Sequence, residues 1–270
     1  MTWIVGCPSL LGHAMGLSDV RVTFADGSEV DCLRKVYRVG PQIAAGFAGS
    51  VLAGMNLLQR LADLLSAATP TEVWNPAEVA KWWPQDARDL FSQIPEAERT
   101  LRAEMILLAS YFAPRPFGRA FVYTFTSPDF EPIKANTFDV VSIGKGSGIK
   151  TYREKLSALS QNFDLFKLEA GRPGGSALGL DLSITERIES LPIAGISPHL
   201  HVCLVFPDRV EIRTNDRRYF DGRPPFEMPP VANSYEEFIE FARSRGHSAA
   251  GASAWIGPRA VAPHAYGFCR

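Results

Sequence analysis

The chain has 270 residues, 46% of them hydrophobic, and a formal net charge of −1 at pH 7. That length supports one large domain with a substantial core, or two small ones. The charge balance removes any electrostatic reason to expect nucleic acid, and no apolar run approaches the ~18 residues of a membrane span.

Residues 2–7 form the first apolar strand candidate, leading into a hairpin through GCPSLLGHAMG. VRVTF (20–24) and VDCLRKVYRV (30–39) read as strands joined at Asp26-Gly27, a hairpin signal. QIAAGFA (42–48) is a further strand. From Ser50 the period changes: Val51, Met55, Leu58, Ala62 and Leu65 recur at helical spacing. Residues 75–110 read as mostly helical, interrupted at Pro84 and near Pro95. Strands return at 119–126 and 137–144, followed by a helix over 148–159. GRPGGSALG reads as a loop, and 181–191 as a helix capped by Ser176 or Asp181. LHVCLVF (200–206) and RVEIRT (208–213) make a terminal hairpin. FDGRPPFEMPP is then a linker, and SYEEFIEFARSRG a short helix before a tail rich in Ala, Gly and Pro. Strand runs alternating with helix pairs predict an α+β fold of packed sheets flanked by helices.

The first residues lack the basic flank of a signal peptide. Cys7, Cys32, Cys203 and Cys269 show no CxxC spacing, which disfavours a zinc site or a disulfide framework. A reducing, cytoplasmic setting is expected, with the first three cysteines as small core hydrophobes. His199 and His201 share a strand face without a third ligand nearby, so no metal is expected. SIGKGSG lies between strand and helix but completes no phosphate-binding motif, so no cofactor is expected. Trp82 and Trp83 are candidates for covering a core or a subunit contact.

Thr2 becomes N-terminal if Met1 is removed. A threonine hydroxyl needs a base to act as a nucleophile, and a free α-amine titrating near ~8 can serve. Asp19 opens DVRVT, Lys35 follows 16 residues later in LRKVYRV, and Gly49 a further 14 later in AGFAGS, where a strand meets a helix. Such a junction offers unpaired N–H groups and a positive dipole to a developing oxyanion.

Over residues 1–66, SDVRVTFADGSEVDCLRKVYRVGPQIAAGFAGSVLAG resembles the acid-to-glycine block of the proteasome β-subunit and HslV peptidase family of N-terminal nucleophile hydrolases. The resemblance continues through FDVVSIGKGSG and LHVCLVFPDRVEI, to about residue 213. It implies a four-layer αββα sandwich over 1–213, with 214–270 as a C-terminal extension. It implies a threonine-type peptidase with Thr2 as nucleophile, Asp19 and Lys35 beneath it, and Gly49 at the oxyanion. Ser147 is the candidate for the family's later serine, although an ungapped match sets Lys145 there. Arg21 and Thr23 match the substrate-pairing strand. Val22, Leu33, Tyr37, Phe47, Val51 and Met55 match an uncharged side-chain pocket with Phe47 at its floor. Ser197 is a candidate for the family's late serine, with Ala194 where an aspartate would stand. Thr2 and Asp19 are one residue further apart than in the family, which puts an extra residue in the first hairpin. The implied partners are further copies of the chain in a homo-oligomeric ring or double ring, a peptide or unfolded protein substrate, and optionally an ATP-dependent unfoldase. The alternatives are a non-catalytic shell of the same fold and a small-amide hydrolase.

Overall fold

A computed structural model describes residues 2–9, 12–67, 75–111, 119–137, 139–160, 175–214 and 227–247. The chain begins with six strands: β1 Trp3–Pro8, β2 Ala14–Asp19, β3 Arg21–Thr23, β4 Glu29–Asp31, β5 Val36–Gly40 and β6 Ile43–Gly49. Helices α1 Val51–Ala67, α2 Pro76–Gln93 and α3 Glu96–Arg99 follow. Then come β7 Ala103–Tyr111, β8 Arg119–Thr126, β9 Ile133–Lys134 and β10 Val141–Gly144. After a 3-10 turn at Lys145–Gly148 come α4 Lys150–Ser160, α5 Gly175–Ser190, β11 Leu200–Val205, β12 Val210–Thr214 and α6 Tyr235–Ser244. The fold is of the α+β class.

One five-stranded sheet has the order β10-β1-β2-β11-β12, the other β5-β6-β7-β8-β9, and β3 pairs with β4 as a separate ribbon. The pairings within both sheets and the ribbon are antiparallel. The two sheets touch through β1 and β2 against β7 and β8. Ile4, Ala44, Ile106, Leu108, Val122 and Cys203 form the buried cluster shared by these strands. Against β5–β9, a larger cluster joins Phe47, Leu57, Trp83, Phe125 and Phe238 from sheet, α1, α2 and α6. Against the other sheet, Trp3, Leu17, Tyr152, Leu156, Ile184 and Val202 pack with α4 and α5. Alternation along the central strands sends one set of side chains to each face, and burial on both faces accounts for their near-continuous apolar runs.

Several boundaries differ from the sequence reading, each for a physical reason. Residues 103–111 form β7, not the end of a helix. A continuous apolar run has no diagnostic period, and burial on both sides suits a central strand. Pro84 does not break α2, which runs from Pro76 to Gln93. Asn75 caps that helix, accepting from Ala77 N at 3.0 Å. Its buried stripe of Val79, Ala80, Trp83, Ala87 and Phe91 crosses the proline, and burying it offsets the roughly 3 kcal/mol a helical proline costs. Trp83 is fully buried, so it packs the core and forms no surface contact. The 30–39 strand is broken: β4 belongs to the ribbon and β5 to a sheet. α5 starts at Gly175, which places Ser176 and Asp181 inside the helix rather than at its cap. The expected loop at 171–179 is helical from Gly175 onward; residues 171–174, residues 220–226 of the expected linker at 220–230, and Cys269 lie outside the described residues. Among those described, Cys7, Cys32 and Cys203 are buried free thiols, each pushed up to about 12 by burial. No described helix is long and apolar enough to cross a membrane.

Candidate active site

The hairpin β1–β2 sets Ile4 opposite Ser18. Thr2 therefore sits at the strand entry, next to the strand end that carries Asp19. Trp3 N donates to Asp19 Oδ2 at 2.8 Å, and Arg21 N to Oδ1 at 3.2 Å. Lys35 lies in the break between β4 and β5, and its side chain reaches to the other sheet. The Lys35 ammonium donates to Thr2 Oγ1 at 2.8 Å, to Asp19 Oδ1 at 2.6 Å and to the Arg21 carbonyl. An ammonium has three protons, and three acceptors receive them. Lys35 is 2% exposed and Asp19 fully buried. Burial pushes the Asp19 carboxyl up from its ordinary value, and the Lys35 charge and the Trp3 N–H pull against that rise.

Thr2, Lys35 and Gly49 line one cleft of about 700 Å³, together with Arg21, Val22, Thr23, Phe47, Val51 and Ser147. Gly49 ends β6 with φ +95°, in the left-handed region. An added Cβ there would collide with the Arg102 carbonyl, which accepts from Ser50 N at 3.0 Å. Ser50 caps α1, its hydroxyl oxygen accepting from Ala53 N at 3.1 Å while the hydroxyl donates to Glu98. Ser147 donates to the Gly144 carbonyl at 2.6 Å within the 3-10 turn, and Gly146 N donates to Thr2 O at 3.4 Å. Among these residues, α1 offers its N-terminus to the cleft and the 3-10 turn faces it beside Thr2.

Leu33, Tyr37 and Met55 do not line the cleft. Leu33 is buried in the core and bridges to Ala232. Tyr37 donates its hydroxyl to the Arg34 carbonyl at 2.6 Å, and burial raises its pKa. Met55 faces the core of α1. The cleft wall is also not uncharged as expected: Glu98, Arg102, Glu104 and Lys145 border it. Glu98 lies on α3, Glu104 at the start of β7 and Arg102 in the connection between them, a segment that reads as helix in sequence. Tyr235 and Phe238 of α6 also line the cleft, and no sequence signal tied that helix to Thr2.

A second polar cluster adjoins the first. Asp31 Oδ2 accepts from Ser197 Oγ at 2.6 Å and lies 2.8 Å from His199 Nδ1. Its Oδ1 accepts from Arg21 Nε at 2.7 Å. Burial acts to raise the Asp31 carboxyl, but hydrogen bonds from His199, Arg21 and Ser197 outweigh it and hold the group below the usual carboxylate range. Ser197, beside which the sequence shows Ala194, thus meets a carboxylate from a distant strand. His201 does not join His199: it is buried, its Nδ1 has no hydrogen-bond partner among the described residues, and burial lowers its pKa to about 4. Among the described residues no group of three or more His, Cys, Asp or Glu side chains is placed to hold a metal ion.

No protein-family model matches this chain, and no curated protein matches it.

Proposed function

We propose that the chain is an N-terminal threonine hydrolase of peptide bonds, on the four-layer αββα sandwich of the proteasome β-subunit and HslV peptidase family. One observation carries this reading: a buried Lys35 ammonium donates to both Thr2 Oγ1 and Asp19 Oδ1 at the wall of an open cleft. Structural ion pairs are common, but this one also places an ammonium proton on the Thr2 hydroxyl. The two facing sheets with helices packed on their outer sides support the sandwich.

In the proposed reaction, Met1 is removed and the α-amine of Thr2 is free. The amine takes the Oγ1 proton, directly or through a water, as Oγ1 attacks the scissile carbonyl. Lys35 stabilises negative charge developing on Oγ1, and Asp19 holds Lys35 in place. The tetrahedral oxygen faces the Gly49 N–H. The C–N bond breaks, the leaving amine receives the proton, and an ester to Thr2 remains. Water adds to that ester through the same base, releasing the acid and restoring the hydroxyl. The Ser147 turn, against the Thr2 backbone, orients the amine.

The test is intact mass spectrometry with a peptide epoxyketone, which requires both the hydroxyl and the amine of an N-terminal threonine. Wild type should lack Met1 and gain one adduct, and Thr2→Ala should gain none. Equal labelling of both, or a retained Met1 with no adduct, overturns the reading and leaves the non-catalytic shell. The proposal extends to a cytoplasmic homo-oligomeric ring that degrades unfolded chains, with or without an ATP-dependent unfoldase. Sedimentation of the 29.7 kDa chain as a stable monomer at micromolar concentration would remove the ring.

A further inference from the structure

Residues 231–247 follow the part of the chain that carries the family resemblance, yet two of them, Tyr235 and Phe238, line the cleft. Ala232 N donates to Cys32 O at 2.8 Å, and Arg34 N to Ala232 O at 3.0 Å. The segment is thus hydrogen-bonded to the backbone immediately before Lys35. Ser234 then caps α6, accepting from Glu237 N at 3.2 Å, and the Glu237 carboxylate accepts from Asn233 N at 2.7 Å. These two bonds fix where the helix starts and which face it presents. That face, Tyr235, Phe238, Ile239 and Ala242, is buried in the core shared with Phe47.

The far end is held as well. Phe24 on the ribbon stacks on Phe238 at 6.0 Å and on His247 at 4.1 Å between ring centroids. His247 Nδ1 lies 3.3 Å from both Asp26 Oδ2 and Ser28 Oγ. Tyr235 and Phe238 are only 4% and 6% exposed, and both line the cleft that holds Thr2, Lys35 and Phe47.

We infer that α6 builds, within the same chain, the outer wall of the pocket for the side chain preceding the cleaved bond, and that Phe238 and Tyr235 set its size. This rests on the peptidase reading above. With the Phe47, Phe238 and Tyr235 rings all bordering it, the pocket suits small to medium apolar side chains, alanine, valine or leucine. Tryptophan meets ring walls that are packed on their far side and cannot withdraw. A charged side chain placed against the Phe47 and Phe238 rings loses water to an apolar surface, which disfavours it.

The experiment is a fluorogenic tripeptide panel varying only that residue, run on wild type, Phe238→Ala and Phe238→Leu, with epoxyketone labelling of each. Leucine should exceed tryptophan in kcat/KM for wild type. Phe238→Ala should raise the tryptophan-to-leucine ratio about tenfold or more, the order of discrimination that packing differences of this size give. Phe238→Leu, which keeps an apolar residue in the core, should raise it less but in the same direction, and carries the test if the alanine variant does not fold. An unchanged ratio in a variant that still labels at Thr2 overturns the pocket assignment and leaves the peptidase reading intact. Absence of Thr2 labelling in wild type removes both.

Discussion

Ser197 donates its hydroxyl proton to Asp31 Oδ2 across 2.6 Å, joining residues 166 positions apart. Asp31 also holds the Arg21 guanidinium, at 2.7 Å from Nε. The Arg21 carbonyl in turn accepts from the Lys35 ammonium. The β11 approach, the ribbon and the lysine beside Thr2 are therefore one hydrogen-bonded unit, in which each member orients the next.

Asp31→Asn should weaken this unit and show it in the pH dependence of stability. The folded Asp31 pKa lies below its unfolded value of about 3.9. The carboxylate therefore contributes stability that is present above pH ~4 and lost as the pH falls through the folded pKa. At pH 7 the variant should be less stable by about 2 kcal/mol, the scale of hydrogen bonds to a charged group. That gap should narrow steadily below pH 4. Urea titrations of both proteins at pH 7, 4 and 3 read it directly, and a gap that widens on acidification would contradict the depressed carboxyl.

Lys35 has a structural role beside its electrostatic one. Its pair with Asp19 is buried on both sides, at 2.6 Å. Lys35→Met leaves a buried carboxylate without its cation and should cost about 3–5 kcal/mol. The double variant Asp19→Asn/Lys35→Met removes both charges and should recover most of that loss. Both should be inactive toward the epoxyketone. Thermal melts decide: a single variant as stable as wild type would mean the pair is solvated in solution.

Much of the fold was legible where a period or a turn signal was strong. The α1 stripe of Val51, Met55, Leu58, Ala62 and Leu65 marks a helix that the structure runs from Val51 to Ala67. Asp26-Gly27 marks the ribbon turn, where Gly27 has φ +83°. The grouping of Thr2, Asp19 and Lys35 came from their spacing together with the family resemblance, and the β1–β2 register shows why: it lays the two strand ends side by side. What was not legible depends on contacts distant in sequence. The β7 run AEMILLASY has no period to separate helix from strand. Nothing near Tyr235 or Phe238 shows that α6 folds back onto the cleft, and Asp31 gives no local hint of Ser197. The apparent wall residues Leu33, Tyr37 and Met55 are apolar at plausible spacing, but tight core packing takes them instead.

Gly49→Ala should be costly. The residue sits at φ +95°, where a side chain is strained by about 1–3 kcal/mol, and the new Cβ meets the Arg102 carbonyl, which is backbone and cannot swing aside. The Ser50–Arg102 hydrogen bond that seats the α1 N-terminus would have to shift. Stability should fall by at least 2 kcal/mol, and kcat on the best peptide should fall more than KM rises, because the loss is at the proposed oxyanion donor. A variant with wild-type kcat would remove Gly49 from that role.

Gly54→Ala tests how closely α1 lies on the cleft floor. On an exposed helix this change gains about 1 kcal/mol, since alanine is the better helix former. Here the added Cβ falls inside the ring of Phe47, which is 1% exposed. Overpacking in a core costs about 1–3 kcal/mol, so the clash outweighs the helix gain and the net sign is destabilising. Phe47 packs in the core and also borders the cleft. Its ring relaxes toward the cleft, and the proposed pocket becomes shallower. Cleavage after leucine should therefore fall more than cleavage after alanine. Gly54→Ala/Phe47→Leu gives the methyl the space that the ring held, so the two changes should be strongly non-additive, with the double variant more stable than Gly54→Ala alone. Chemical denaturation of the four proteins measures that coupling. Simple additivity within about 0.5 kcal/mol would mean that the helix and Phe47 are not in contact as described.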